Sequence, residues 1–311
     1  MTLADLPNKD YNYYPYTTVY LAWLAYFLDS QPLPSELNMV WGPAEYTDLF
    51  GISKSLVFVA NNPATGEYFV VFRGTNPISL SSWLGEDFDV GSTVPFTNYV
   101  LDAPTHAAIS SATNNGIYYV TTPTANSIPA GPAPLALIPY LQSILPDIKY
   151  LYLTGHSLGG TLIAPMYAYI NYAVFQGNGI GKMACWSYAG LTAGEANFAN
   201  YINNLCDQDF GWRFVNPHDI APYMFGEPLA ALKNLYLPAN PPIYWGKDQL
   251  GCRILEDIYS KVSANYTQPA GEYPLGASKI VNRMKWEDEA FTQHHSTTYL
   301  SLVQAIFGYP S

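Results

Sequence analysis

Apolar and polar positions change their period several times along the chain, and each change marks an element. Residues 55–60 (SLVFVA) and 67–72 (EYFVVF) are short runs of β-branched and aromatic residues. The Asn-, Pro- and Gly-containing stretch 61–66 between them predicts a hairpin. An alternating run, Tyr150-Leu151-Tyr152-Leu153, predicts a strand that meets Gly155-His156-Ser157-Leu158-Gly159 and passes at once into a helix-like segment. Further strands are expected at 183–189 and 213–216. Helices are expected over 19–28, near 106–118, and at 135–145, 190–204 and 296–307. The Pro/Ala-rich stretch 121–134 reads as a surface loop, and the Pro- and Tyr-rich stretch 223–280 as irregular. Strands alternating with helices predict an α/β architecture with a mainly parallel central sheet covered on both faces. In such sheets chemistry gathers at the carboxyl ends of strands. One local rule is broken: Pro165 falls inside the helix after Ser157, where it removes a backbone hydrogen bond. A kink or break near 161–164 is expected.

Composition narrows the picture. The chain has 311 residues, 49% of them hydrophobic and only 12% charged, enough apolar material for a large core. No linker or repeat divides it, so residues 1–311 are expected to form one domain. A formal charge of −11 argues against nucleic acid and anionic membranes as partners and favours uncharged substrates. The ten-residue apolar run 19–28 is too short to span a bilayer and makes a poor signal peptide. That leaves the compartment open between the cytoplasm and secretion with a leader removed or absent. The three cysteines make no disulfide framework. Cys185 lies in an apolar strand-like run, and Cys206 with Cys252 is the one pair left for a bridge. No histidine spacing or Asp/Glu cluster suits a metal, and no cofactor is called for.

The chemistry centres on Ser157. A bare G-x-S-x-G arises by chance in roughly one chain of this length in ten at ordinary Gly and Ser usage, so the strand before it and the helix after it carry the signal. A serine at such a turn has strained backbone and an exposed Oγ, and the helix start behind it offers N–H groups to a developing oxyanion. The hydroxyl needs a base, and the base needs an acid to orient it. After Ser157 the histidines are His218, His294 and His295. Asp219 follows a predicted strand in a turn bracketed by Pro217 and Pro222, and is the preferred acid.

Four ordered blocks then give a resemblance: Val71–Thr75 (VFRGT), Thr154–Gly160 (TGHSLGG), Tyr188–Phe198 (YAGLTAGEANF) and Arg213–Pro222 (RFVNPHDIAP). The chain resembles the class 3 lipases, the filamentous-fungal lipase family with its bacterial relatives, which have an α/β-hydrolase fold. The resemblance implies an ester hydrolase, a triacylglycerol lipase first of all, with lipid or ester substrates met at an oil–water interface. Esterases on short-chain or aromatic esters, feruloyl esterases among them, are the alternative, and a phospholipase is a further one. It implies Ser157 as nucleophile, Asp219 as acid, and Thr75 with the Leu158 N–H as the oxyanion hole. The family's histidine stands just before the last helix, a few residues ahead of an aromatic, here Tyr299. Both His294 and His295 fit, and His295 is preferred because it immediately precedes Ser296, a good N-cap. His156 and His106 read as structural. The stretch 76–99 corresponds to the family's lid, where Trp83, Leu84 and Phe88 would present an apolar face to substrate. Residues Tyr223, Met224, Phe225, Leu229, Leu237 and Ile243 are expected to wall the pocket.

Overall fold

The longest apolar runs of the sequence become the middle of a mixed sheet. The computed structural model describes residues 13–47, 53–74, 89–122, 135–206, 212–237, 239, 242–262, 264–276, 280 and 285–308. Among these the main sheet has seven strands: β1 (Asn38–Thr47), β2 (Ser53–Asn62), β3 (Glu67–Arg73), β6 (Tyr150–His156), β7 (Met183–Tyr188), β8 (Arg213–Val215) and β9 (Glu272–Pro274), in that spatial order. A small two-stranded ribbon, β4 (Thr93–Pro95) with β5 (Ala108–Ser110), lies outside it. β1, β2 and β3 pair antiparallel, and every neighbour from β3 onward is parallel. All of β3 and β7 and nearly all of β6 are buried, as strands covered on both faces must be. The outermost strand β9 is partly exposed.

The N-terminal helix, Tyr13–Leu24, carries no charged residue and lies on β6 and β7. Thr154 donates to the Thr18 carbonyl, the Tyr188 hydroxyl donates to the Pro15 carbonyl, and Tyr14 stacks on Trp186. The buried carboxylate of Glu67 fastens this helix to β3, accepting from the hydroxyls of Tyr14, Tyr152 and Thr65 at 2.7, 3.1 and 2.7 Å. Three charge-assisted bonds offset the cost of burying that carboxylate.

The helix after Ser157 is broken as expected. Leu158–Thr161 ends at Leu162, and Ile163–Ala173 begins after it. Pro165 has no N–H to give the Thr161 carbonyl, so the ladder is interrupted there and resumes with Met166 N–H on Leu162. Helices also form at Ser111–Thr121, Leu137–Ser143, Ala196–Leu205 and Ser296–Phe307, near their expected places.

Other elements depart from the sequence reading. β1 was not expected, because Gly42-Pro43 interrupts its pattern. The stretch 223–280 is not irregular throughout: it holds the helices Leu229–Lys233 and Leu250–Lys261 and the strand β9. The longer helix buries Cys252, Leu255 and Ile258, one face of three turns, in a second apolar cluster with Met224, Phe225, Ile243 and Trp286. Those residues therefore build a core of their own. Another helix, Trp286–His294, precedes the last one. All three cysteines are free and buried. Cys206 belongs to the main core and Cys252 to the second cluster, so the two considered for a bridge lie in different parts of the fold. Within the expected lid 76–99, residues 93–95 pair with 108–110, and Phe96 is buried against Phe198.

Candidate active site

Ser157 leaves β6 with φ 61° and ψ −128°, a conformation that costs a residue with a side chain about 1–3 kcal/mol and persists only where its surroundings hold it. Its N–H is held by the Tyr188 carbonyl on β7 at 3.0 Å. The glycines two residues away on each side make the turn feasible. A Cβ on Gly155 would lie 2.6 Å from the carbonyl of Gly159, and one on Gly159 would collide with the Phe72 carbonyl. Strand and helix backbones touch here, and only glycine lets them.

Asp219 sits just past β8, fully buried. Asn216 shapes the turn: its side-chain oxygen accepts from the His218 N–H, and its carbonyl accepts from the Asp219 N–H. One carboxylate oxygen, Oδ1, accepts from the Ala221 N–H at 2.9 Å. The other, Oδ2, accepts from the Tyr299 hydroxyl at 2.8 Å and lies 2.9 Å from His294 Nδ1.

His294 completes the line. Its Nε2 lies 2.8 Å from Ser157 Oγ. A carboxylate can only accept, so the network assigns the proton to Nδ1 and leaves the Nε2 lone pair facing the serine hydroxyl. Serine, imidazole and carboxylate are thus joined in series by two hydrogen bonds, all three being buried.

The histidine expected here was His295, and the structure corrects that placement. The helix Trp286–His294 carries His294 inward on its last residue, and the chain then turns extended at His295 (φ −61°, ψ 138°). Consecutive residues therefore point to different sides. His295 caps the next helix through its ring, accepting from the Thr297 N–H at 3.2 Å. His295 does stand at the helix entrance, as the N-cap itself in place of Ser296, and that role occupies its ring. Loss of hydration, and then the nearby His294, lower the pKa of His295.

His156 also belongs to the site. Its Nε2 donates to the main-chain carbonyl of His294 at 2.8 Å, and the Tyr26 hydroxyl faces its Nδ1 at 3.3 Å. Burial, and secondarily His294, hold its pKa well below the usual imidazole range, which favours the neutral ring. His106, by contrast, is exposed, its ring beside the Thr105 hydroxyl.

A cleft opens onto the serine, lined by Tyr26, Phe27, Phe291, Ser296 and the three histidines 156, 294 and 295. None of the aromatic wall residues was singled out in the sequence. Phe291 sits one helical turn before His294, and that spacing was the one available clue. Thr75, Trp83, Leu84 and Phe88 lie outside the described residues. Gly74, just before Thr75, packs on Leu158, the first residue of the helix behind the serine. Among the described residues no group of three or more His, Cys, Asp or Glu side chains is placed to hold a metal ion, and no helix is long and apolar enough to cross a membrane.

A mainly parallel sheet with a serine on its strand-to-helix turn and a carboxylate and histidine converging on it is the arrangement of an α/β-hydrolase, and the family to which the chain belongs makes it a carboxylic ester hydrolase among these. The chain belongs to the lipase (class 3) family, whose model matches residues 69–228. Among solved structures it is similar to M37 lipase, with 22% identity, a TM-score of 0.74, and coverage of 93% of this chain and 92% of that one. It also resembles the lipase of Rhizopus microsporus var. chinensis (17% identity, TM-score 0.51, 72% and 71% covered). The Lip2 lipase of Yarrowia lipolytica is similar at 17% identity and TM-score 0.51, with 70% and 75% covered. Among curated proteins no sequence matches the chain.

Proposed function

We propose that this protein hydrolyses triacylglycerols through an acyl-enzyme on Ser157, with His294 as its base and Asp219 as the acid behind it. The observation that carries this reading is the hydrogen-bonded series Asp219–His294–Ser157, at 2.9 and 2.8 Å. As Ser157 Oγ attacks the ester carbonyl carbon, its proton passes to His294 Nε2, and the buried carboxylate stabilises the imidazolium that forms. The tetrahedral oxyanion is met by the Leu158 N–H at the helix start and by Thr75, which offers a backbone N–H and a hydroxyl. One such donor is worth about 10²–10³ in kcat. His294 then returns the proton to the leaving alcohol oxygen, the C–O bond breaks, and water repeats the cycle on the acyl-serine.

The aromatic cleft walls Phe27 and Phe291 support an uncharged, apolar acyl chain. By the resemblance to the family, the apolar face of a lid is assigned to Trp83, Leu84 and Phe88, which lie outside the described residues. The test has two arms. Ser157→Ala should abolish cleavage of p-nitrophenyl esters, and full residual activity would overturn the reading. Hydrolysis rates from tributyrin to triolein, above and below solubility, should jump once the lipid phase appears. A smooth curve with preference for soluble short esters would make the enzyme a plain esterase.

A further inference from the structure

The residue before the serine has more to do than fill space. We propose that His156 is a positioning residue that ties the serine turn to the base, by fixing the main chain of His294. This rests on the reading of Ser157 and His294 given above.

His294 is the last residue of its helix, and the chain turns extended immediately after it. A carbonyl at that place has lost its helical partner, and in a buried site it must find another. His156 Nε2 provides it at 2.8 Å. The donor comes from the residue covalently joined to Ser157, and the acceptor belongs to the base itself. One hydrogen bond thus spans the two elements whose separation sets the 2.8 Å contact between Ser157 Oγ and His294 Nε2. The rings of His156 and His294 lie with centroids 4.9 Å apart, so the base also packs on its tether.

The tether works in one tautomer. With the proton on Nε2, Nδ1 is an acceptor, and the half-buried Tyr26 hydroxyl lies 3.3 Å from it and 3.4 Å from the His156 carbonyl. Tyr26 is itself located beside Arg73, whose guanidinium sits 5.9 Å from its ring and donates to the Ala25 and Gly74 carbonyls. A chain of fixed contacts therefore runs from the end of β3 through Tyr26 and His156 to His294. Misplacing a reacting group by an ångström costs on the order of 10² in rate, so the tether should show far more in kcat than in KM.

The experiment compares His156→Leu with His156→Gln in the full-length enzyme on a soluble p-nitrophenyl ester. Glutamine can place an N–H where the imidazole Nε2 stands. H156L should lower kcat by about ten- to a hundredfold with KM held within about twofold, and H156Q should stay within about threefold of the wild type. Wild-type kcat in H156L, or an H156Q no better than H156L, overturns the proposal. Should H156L not fold, His156→Asn, polar but too short to reach the carbonyl, replaces it with the same two outcomes. Nitrogen-15 and proton spectra of the histidine rings separate this from the hydrolase reading. The downfield His294 Nδ1–H resonance should move in H156L and be restored in H156Q even if no ester is cleaved; an unmoved resonance in both sinks the tether.

Discussion

Tyr299 and His294 meet at a single atom, Oδ2 of Asp219, the hydroxyl at 2.8 Å and the ring nitrogen at 2.9 Å. The same hydroxyl accepts from the Asn216 N–H at 3.1 Å. Tyr299 thus holds both the carboxylate and the turn that carries it, and the nearby Asp219 carboxylate, after burial, pushes the phenol's pKa well above its usual value. Tyr299→Phe removes the donor to Oδ2 and the acceptor for the Asn216 N–H together. A buried loss of this kind costs about 1–3 kcal/mol, so the unfolding free energy from urea titration should fall by that amount, with a lower midpoint at unchanged slope. The kcat should fall several-fold at unchanged KM, since the group acts on the acid and touches no substrate. Wild-type stability and rate in this variant would mean that the backbone alone holds Asp219.

The neighbouring histidines give the sharpest contrast. His294→Ala removes the only histidine bonded to both Ser157 and Asp219 among the described residues, and should reduce kcat by about 10³-fold or more. His295→Ala removes a helix cap and a cleft-wall residue. It should cost about 1 kcal/mol of stability while kcat stays within tenfold. Steady-state kinetics on one soluble ester settle the assignment, and the reverse ranking would return the base to His295.

How much of this was legible follows from which interactions are local. The strand, the glycines and the helix around Ser157 are set by residues within a few positions of one another, and so is the break caused by Pro165. Asp219 was legible because prolines bracket its turn. The choice between His294 and His295 was not: it depends on where one helix stops, a matter of about one residue, and each residue turns a side chain by about 100°. Tyr26, Phe27 and Phe291 reach the cleft from distant parts of the chain with no motif to mark them. The helix Leu250–Lys261 was missed because its apolar face, Cys252, Leu255 and Ile258, is narrow and surrounded by Pro- and Tyr-rich segments. The four-block resemblance reached the family directly, since the spacing of the blocks reflects the sheet that joins them.

The serine turn should be intolerant of a single methyl group. At Gly155 a Cβ would stand 2.6 Å from the Gly159 carbonyl carbon and oxygen and 2.7 Å from the Phe72 oxygen, all main-chain atoms that cannot swing aside. Gly155→Ala should therefore lower stability by more than about 2 kcal/mol or prevent folding, in the range of severe overpacking. Gly181, whose added Cβ would meet nothing within 4 Å, is the control, and Gly181→Ala should leave the unfolding curve near that of the wild type. Equal urea midpoints for the two variants would show that the turn is looser than its contacts suggest.

His156 makes stability depend on pH in a definite direction. Its pKa is lowered well below 6.5 in the folded protein, burial being the main cause and His294 the next. In the unfolded chain it titrates near 6.5, so below that pH the unfolded chain holds a proton that the native state does not. Protons are then taken up on unfolding, and native stability falls as pH drops from about 7 toward the folded pKa. Above pH 7 both states are neutral and this contribution vanishes. The slope for one proton is at most about 1.4 kcal/mol per pH unit. His156→Gln keeps the tether and removes the titration. Urea unfolding of both proteins at pH 7.5, 6.5 and 5.5 isolates the effect, because His295 and the carboxylates are common to both. The gap between them should widen toward acid pH in favour of H156Q, and a constant gap would show that His156 ionises freely in the fold.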